Sequence, residues 1–315
     1  MSTKQKNFIS CVTYLHNEGD GLVPFLDTLR GMLEQHFEKY EIICVDDASE
    51  DDTVDKLQEY VSGADSKKPI SLVRMSYYQG TEASMNAGRD LAVGDFIYEF
   101  DHAFVDYDPE LILQVYEKSL EGYDIVAAAP KNYISLSSKL FYSVYNWGNR
   151  TSNKLQQERF RLISRRAVNR LGQLNTYVPY RKAMYVNCGL KMETLVYVNK
   201  QISRRNRNEQ EKESRSKLAF DSFIIFTDVL EKISLGLCAF FLVVMIVMAT
   251  IVVSSLFSDV KPVEGWMSTF GLMAFGFFGL FLLMTLLLKY MSVILNLTFK
   301  KQRYVISGIE KLNKA

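Results

Sequence analysis

The chain has 315 residues, 48% of them hydrophobic, and a formal net charge of +1. This length allows one well-packed domain with an appendage, and the small net charge argues against a protein that binds nucleic acid through its overall charge. Basic residues do cluster, at 200–217 and at Lys300, Lys301 and Arg303, and both clusters lie beside apolar tracts.

Short β-rich runs alternate with helical stretches over the first 130 residues. This pattern predicts an α/β fold with a doubly wound, mostly parallel sheet and helices on both faces. The predicted strands are 8–16, 40–47, 70–76, 95–101 and 123–130. The predicted helices are 20–36, 51–62, 80–93 and 108–121, and acidic residues at their starts fit helix N-termini.

The pattern changes after residue 130. Aromatic and aliphatic residues follow helical spacing over 135–150, so this segment is expected either to lie on a membrane surface or to pack against the sheet. A short strand at 160–165, a brief helix and a strand at 192–198 are predicted next, before the basic segment.

Two apolar runs without charged residues occupy 233–258 and 265–288, and each is long enough to cross a bilayer core of about 30 Å. They predict a hairpin of two transmembrane helices, at about 233–256 and 266–288, although a buried helical hairpin would show the same pattern. Basic residues flank the hairpin on both sides, which predicts that both termini are cytoplasmic. The N-terminus is short and polar and lacks an apolar signal region, so no export of the first 200 or so residues is implied.

The expected organisation therefore has four parts. They are a catalytic domain at 1–199, a basic juxtamembrane segment at 200–232, the membrane hairpin at 233–297 and a cytoplasmic tail at 298–315. The four cysteines show no Cys-x-x-Cys spacing and are predicted to be reduced packing residues; they are Cys11, Cys44, Cys188 and Cys238.

Polar residues follow three of the predicted strands. In an open parallel sheet, ligands bind beyond the carboxyl ends of the strands, so these residues are the first candidates for a site. Carboxylates there suit hydrogen bonds to a ribose or base, or a divalent cation held against a diphosphate, although each alone could simply cap a helix or form a turn. The residues are His16, Asn17, Glu18, Asp46, Asp47, Asp101 and His102.

Several motifs resemble those of the family 2 glycosyltransferases, which have the GT-A fold. They are HNEGD (16–20), VDDASEDDT (45–53), the long segment 77–101 that ends in DFIYEFD, DYDPELI (106–112), FRLISR (160–165) and RSKLAF (215–220). Within the family, the chain is most similar to the polyprenyl-phosphate glycosyltransferases, such as dolichyl-phosphate mannose synthase and the bactoprenol glucosyltransferases. That narrower resemblance depends on the C-terminal hairpin, because soluble members of the wider family lack it.

The resemblance implies a nucleotide site at the strand ends. Glu18 and Asp47 would contact the base and ribose, and Asp101 would be the first acid of an Asp-x-Asp motif that holds Mg²⁺ or Mn²⁺. The other residues implied at the nucleotide are Asn17, Asp46, Gln79 and Gly80.

The motif is incomplete, because its second acid is replaced by Ala103. Losing a carboxylate removes one oxygen ligand and one negative charge from a site meant for a hard cation. Asp106 or Asp108 could compensate, or the cation could be held by Asp101, water and the diphosphate. His102 is expected to be a core or capping residue rather than a metal ligand, because alternate strand residues point to opposite faces.

A phosphate acceptor is already ionised at neutral pH and hardly needs a general base. Glu158 or Asp106 would be needed as a base only if the acceptor were a neutral hydroxyl. A lipid phosphate does need cationic partners near the membrane. The residues that match the family's phosphate-contacting positions are Lys131, Lys139, Arg161 and Arg215, with Lys217 close by.

The leading hypothesis is a glycosyltransferase, anchored in the inner or plasma membrane, that moves a sugar from a nucleotide-diphosphate donor to polyprenyl phosphate at the cytoplasmic leaflet. One alternative keeps the fold but uses a lipid-linked glycan or diacylglycerol as acceptor. Another, favoured only by Ala103, is a degenerate transferase that binds a nucleotide sugar without turnover. The resemblance also implies a possible homo-oligomer, and no nucleic-acid partner is expected.

Overall fold

The structure is a computed structural model. It describes residues 4–63, 69–131, 136–148, 153–173, 180–199, 265–299 and 304–312, together with scattered positions between 232 and 250. Two units are distinguished by their internal packing. The first comprises residues 1–147, 151–220 and 300–315, and the second comprises residues 148–150 and 221–299.

An eight-stranded sheet forms the centre of the first unit, with the strand order β7-β5-β6-β4-β1-β2-β3-β8. Among the described strands, four of the seven pairings are parallel, and β6 and β8 make the antiparallel ones. The strands are β1 (Gln5–Leu15), β2 (Phe37–Asp46), β3 (Ile70–Met75), β4 (Phe96–Phe100), β5 (Ile125–Pro130), β6 (Phe160–Ser164), β7 (Met192–Tyr197) and β8 (Ile306–Lys311).

The helices of this unit alternate with the strands in the manner that the sequence predicts. They are α1 (Gly19–His36), α2 (Thr53–Gly63), α3 (Thr81–Leu91), α4 (Glu110–Leu120), α5 (Leu136–Gly148), α6 (Arg165–Gln173) and α7 (Arg181–Asn187). The strands and helices predicted for the first 130 residues all form, with ends shifted by up to three residues. The brief helix expected after β6 corresponds to two helices, α6 and α7.

Apolar side chains cover both faces of the sheet. The larger cluster lies under α1, α2 and α4, and a second cluster lies under α3. Helix α3 approaches the sheet closely at Gly88, where an added Cβ would lie 2.3 Å from a methyl carbon of Val12 and 2.7 Å from one of Val45. Only glycine fits this contact, which sets the position of α3 and of the loop before it.

The strand β8 was not predicted, because the sequence analysis treats 298–315 as a tail. It pairs antiparallel with β3, and Arg74 Nε lies 2.9 Å from Glu310 Oε1 across the pair. The chain therefore returns to the sheet after the second unit and covers the edge of β3, which would otherwise expose unpaired backbone groups.

The second unit contains the helix α8 (Trp266–Phe299), which has 34 residues. Phe241 packs against it: the rings of Phe241 and Phe275 lie 5.3 Å apart, and a Cβ at Gly279 would collide with the Phe241 ring. Within the described part of the chain, no helix is both long and apolar enough to cross a membrane.

Helix α5 contacts helix α7 of the same unit through Tyr145. Tyr145 is fully buried and accepts a 3.0 Å hydrogen bond from the amide of Asn187, whereas Trp147 is exposed. Tyr145 thus contacts α7, and packing of this segment against the sheet and its position on a membrane surface both remain predictions. Cys11, Cys44 and Cys188 are buried free thiols, as predicted, and Cys238 lies outside the described residues.

Candidate active site

The loops that follow β1 and β2 are joined by Asn17. Its side-chain oxygen accepts hydrogen bonds from the backbone N–H groups of Glu50 (2.9 Å) and Asp51 (3.3 Å), and its own N–H donates to Ser49 Oγ at 3.1 Å. Asn17 and Ala48 both have a φ of 54°, an uncommon backbone conformation for residues other than glycine that often marks functional sites. The two predicted nucleotide-binding loops therefore form one connected surface.

Asp47 holds the loop that precedes α3. Its carboxylate accepts hydrogen bonds from the N–H groups of Gln79 (2.8 Å) and Gly80 (2.7 Å) and from the Tyr14 hydroxyl (3.1 Å). Burial raises the pKa of Asp47, and these donors oppose the rise. Since Asp47 has no exposed surface, it acts here as an anchor for the loop, and its predicted contact with a nucleotide remains untested.

Gln79 connects this loop to the C-terminal segment. Its side-chain amide donates to the carbonyl of Val305 at 2.7 Å, and its side-chain oxygen accepts from the N–H of Val305 at 2.8 Å. The same carbonyl also accepts from the N–H of Ser76 at 3.1 Å. The side chain predicted to contact the nucleotide is thus engaged with the backbone just before β8.

The ends of β1 and β4 also meet. Glu18 Oε1 lies 3.4 Å from Nδ1 of His102, and the backbone N–H of Glu18 donates to Thr53 Oγ1 at 2.9 Å. His16 lies beside them, with its ring 4.7 Å from the ring of Tyr78. The structure thus brings the three predicted polar strand ends to one edge of the sheet, and it places His102 beside Glu18. Asp46 lies there as well and accepts a 3.2 Å bond from the N–H of Ser49.

A network of buried charges lies directly below this edge, and we call it the charge cluster. It contains four acids and four bases contributed by α3, by β4 and the residue that follows it, by the segment 158–161 and by α7. Its members are Glu82, Glu99, Asp101, Glu158, Arg89, Arg161, Arg181 and Lys182.

Arg161 is the centre of the charge cluster. It lies opposite Glu99 in the β4–β6 pairing and has no exposed surface. Its three nitrogens contact Glu99 (2.8 Å), Asp101 (3.1 Å) and Glu158 (2.8 Å). Every guanidinium nitrogen thus faces a carboxylate, so an acceptor phosphate, the partner predicted for Arg161, would have to displace one of them.

Asp101 receives three cations. Its Oδ1 accepts from Arg181 at 2.8 Å, and its Oδ2 lies 3.1 Å from Arg161 and 3.2 Å from Lys182. Burial alone would raise the pKa of Asp101, but the charges of Arg161, Lys182 and Arg181 outweigh it and hold the pKa well below its usual range. Burial also raises the pKa of Glu99, but the charges of Arg181, Arg161 and Arg89 outweigh this effect, so the pKa of Glu99 is lowered.

The donor set does not fit a divalent cation. Mg²⁺ and Mn²⁺ favour several oxygen ligands with net negative charge, whereas the four acids of the charge cluster are already balanced by its four bases. Both oxygens of Asp101 face cations, and Ala103 is packed in the apolar core with no exposed surface. In the described residues, no group of three or more His, Cys, Asp or Glu side chains is arranged to hold a metal ion.

Asp106 and Glu158, the predicted bases, are both committed to arginines. Asp106 forms a two-pronged ion pair with Arg159 and accepts a 2.8 Å bond from the Tyr197 hydroxyl. Glu158 is buried and its Oε2 is bound to Arg161, although its Oε1 has no hydrogen-bond partner among the described residues. This geometry argues against Asp106 as a catalytic base, because a substrate hydroxyl would have to displace Arg159 or Tyr197 to reach the carboxylate.

The predicted acceptor-phosphate residues are dispersed. Lys131 follows β5 and Lys139 lies on α5, and both are exposed. Arg215 and Lys217 lie outside the described residues. Their predicted role therefore remains a prediction.

Sequence reasoning missed most of the charge cluster. Arg181 and Lys182 lie in none of the motifs, Arg89 lies within the segment 77–101 but was given no role, and Tyr185, whose hydroxyl donates to Glu99 at 2.9 Å, looks like an ordinary core residue. One signal was present: Glu99 stands in the middle of an otherwise apolar strand, and a charge buried in that way must be paired.

A comparison with protein families identifies the family of this chain. The model of glycosyl transferase family 2 matches residues 10–182, which run from the middle of β1 to the start of α7. The chain belongs to this family. Its members are glycosyltransferases, as the resemblance implied.

Named relatives agree with that assignment. An uncharacterized glycosyltransferase of Synechocystis sp. is 31% identical over 197 residues, which are 60% of each chain. An undecaprenyl-phosphate 4-deoxy-4-formamido-L-arabinose transferase of Pseudomonas syringae is 33% identical over 125 residues, 40% of this chain and 36% of that one. The chain thus spans 60% or less of the length of these relatives.

Solved structures show the fold. A mannosyltransferase of Pyrobaculum calidifontis, in complex with GDP-Man and Mn²⁺, matches with a TM-score of 0.53 at 12% identity, over 95% of this chain and 89% of that one. A glucosyl-3-phosphoglycerate synthase of Mycobacterium tuberculosis, with Mn²⁺ and UDP, matches with a TM-score of 0.51 at 16% identity, over 70% and 80% of the two chains. The predicted mixed α/β GT-A fold is thereby confirmed.

Proposed function

We propose that this protein transfers a sugar from a nucleotide-diphosphate donor to polyprenyl phosphate. The observation that carries the proposal is the convergence of the loops after β1, β2 and β4 at one sheet edge, in a chain that belongs to glycosyl transferase family 2. Ligands of open α/β sheets bind at this edge. The donor nucleotide is assigned to the surface formed by Asn17, Glu18 and the loop 76–80.

Polyprenyl phosphate is proposed as the acceptor for two reasons. The Pseudomonas syringae relative is named for transfer to undecaprenyl phosphate, and two similarly named relatives come from Aeromonas hydrophila and Proteus mirabilis. The two predicted bases are also engaged by arginines, since Asp106 is bound by Arg159 and Oε2 of Glu158 by Arg161, which leaves Oε1 of Glu158 as the one oxygen of the pair without a hydrogen-bond partner among the described residues. An ionised phosphate oxygen can attack without a base.

The proposed reaction is a displacement at the anomeric carbon. An oxygen of the acceptor phosphate forms the new bond to that carbon, and the bond to the diphosphate breaks with its electron pair on the departing oxygen. No proton has to move. The charge that develops on the diphosphate must be stabilised by positive groups nearby.

Membrane anchoring belongs to the proposal. It is supported by the two apolar runs of the sequence and by large apolar side chains that are exposed on α8, among them Phe278, Phe281, Leu287 and Leu288. The proposed location is the inner or plasma membrane, with the catalytic unit and both termini on the cytoplasmic side. Exposed Lys131 and Lys139 are proposed to meet the lipid phosphate.

The test uses the full chain purified in a mild detergent. It is incubated with labelled UDP-sugars and GDP-sugars, with and without undecaprenyl phosphate. We expect label to enter the lipid extract only when the acceptor is present, and only with some donors. Absence of labelled lipid across the common donors would contradict the proposal.

A further inference from the structure

The charge cluster places a cation beside the strand end at which a diphosphate is expected. Asp101 follows directly on β4, and Lys182 Nζ lies 3.2 Å from its Oδ2. Lys182 and Arg89 keep some exposed side-chain surface, 7% and 5%, while the side chains of Arg161 and Arg181 are fully buried, and of the first two only Lys182 contacts Asp101. A lysine also carries its charge on a flexible four-carbon stem that can extend toward a ligand.

The role of Asp101 changes in this geometry. A carboxylate that binds a metal ion needs an oxygen that faces a space without other cations. Both oxygens of Asp101 instead face nitrogen donors. Arg181 is itself fixed from the far side by Glu82, through bonds of 2.7 Å to its backbone N–H and 3.0 Å to Nε. Asp101 is thus built to hold the start of α7, and with it Lys182, at the sheet edge.

We propose that Lys182, held by Asp101 and backed by Arg181, stabilises the departing diphosphate in place of a divalent metal ion. The inference rests on the proposed function. Lys182 Nζ–H donates to an oxygen of the diphosphate and remains protonated throughout, while the electron pair of the broken bond stays on the leaving oxygen. Lys182 is then a catalytic residue, and Asp101 is a positioning residue that acts through it.

This inference differs from the expectation of a metal at Asp101. The second acid of the motif is replaced by Ala103, and the positive charge of the site is then supplied by Lys182 instead of a metal ion. Nucleotide binding should therefore be independent of metal, and it should depend on Lys182.

The experiment is a calorimetric titration of the full chain with UDP and with GDP, in EDTA and in MnCl₂. We expect at least one nucleotide to bind with the same affinity in both conditions. Mn²⁺ electron paramagnetic resonance, recorded with that nucleotide present, should show no protein-bound Mn²⁺. Binding that requires Mn²⁺ would overturn the inference and leave the proposed function standing. Failure of both nucleotides to bind in either condition would overturn both.

Variants test the residue. Lys182→Ala is expected to weaken nucleotide binding in EDTA by about tenfold or more, the value of one charge-assisted hydrogen bond, and Lys182→Arg should recover part of it. Lys191→Ala, which removes an exposed lysine at the start of β7, is the matched control and should bind as the parent does. Unchanged binding by Lys182→Ala would refute the role of Lys182. If that variant does not fold, the comparison of EDTA with MnCl₂ on the parent chain still decides.

The kinetics of an Asp101 variant test whether Asp101 positions Lys182. With Asp101→Asn the side chain keeps its size but loses its charge, so Lys182 and Arg181 are held less firmly. We expect kcat for glycolipid formation to fall more than the KM for the donor rises, in EDTA and in MnCl₂ alike. Rescue of Asp101→Glu, but not of Asp101→Asn, by added Mn²⁺ would show that Asp101 is a metal ligand after all.

Discussion

Removing the guanidinium of Arg161 should strongly destabilise the first unit while leaving its apolar core intact. Arg161→Met keeps an unbranched apolar stem, although the side chain is shorter than that of arginine and carries no charge. It removes three charged contacts, to Glu99, Asp101 and Glu158, at a site with no exposed surface. The charge cluster is left with four acids and three bases.

The size of the effect follows from that imbalance. Removing one partner from a buried ion pair costs about 3–5 kcal/mol, because the remaining charge is uncompensated. In a domain of this size about 1 kcal/mol shifts the melting temperature by roughly 2–4 °C, so the expected fall is about 6–20 °C. This is a large share of a typical domain stability of about 5–15 kcal/mol.

The assay is thermal unfolding of the full chain in detergent, followed by circular dichroism. Arg166→Ala is the matched control, because Arg166 also forms an ion pair, with Asp124, but its side chain is 72% exposed. Exposed pairs contribute little to stability, so this variant should unfold close to the parent. Equal melting temperatures for Arg161→Met and Arg166→Ala would refute the account of the charge cluster.

Three further predictions follow from the same contacts. The pKa values of Asp101 and Glu99 are lowered, so the folded state binds fewer protons than the unfolded state at acidic pH. The stabilisation from these two groups should therefore be complete above about pH 5 and decline as the pH falls below it. Melting measured between pH 3 and 7 checks this, and the decline should be less steep in Arg161→Met. Ala103→Asp should not create a metal site, because it places a carboxylate in the apolar core. The melting temperature of this variant should fall and should not rise again when Mn²⁺ is added. Stabilisation by Mn²⁺ would contradict this prediction. Gln79→Leu removes two hydrogen bonds to Val305 and should cost about 1–3 kcal/mol and weaken nucleotide binding; an unchanged melting temperature would argue against the link to β8.

The sheet could be predicted from sequence because its signals are local. Strands such as 8–16 and 95–101 are short segments rich in β-branched and aromatic residues, and acids mark the starts of the helices between them. The strand β8 escaped because it has only six residues, is mostly exposed, and pairs with β3 more than 200 positions earlier in the chain. Nothing in its own sequence specifies that partner.

The candidate site divides in the same way. Asn17, Glu18, Asp46 and Asp47 could be found because each ends a strand, and strand ends share one edge of the sheet. The charge cluster could not, because its members come from separate elements and only the fold brings them together. Arg161 illustrates the difference: its motif suggests a phosphate ligand, but its pairing opposite Glu99 places it inside the protein.

Glycosyl transfer to a phosphate is the central claim, and a comparison of two acceptors tests it most directly. The full chain is given the productive donor with undecaprenyl phosphate or with undecaprenol, and the lipid products are identified by mass spectrometry. The account predicts a gain of one sugar on undecaprenyl phosphate, with release of the nucleoside diphosphate, and no gain on the alcohol. Equal transfer to undecaprenol, or no glycolipid from any donor, would contradict it.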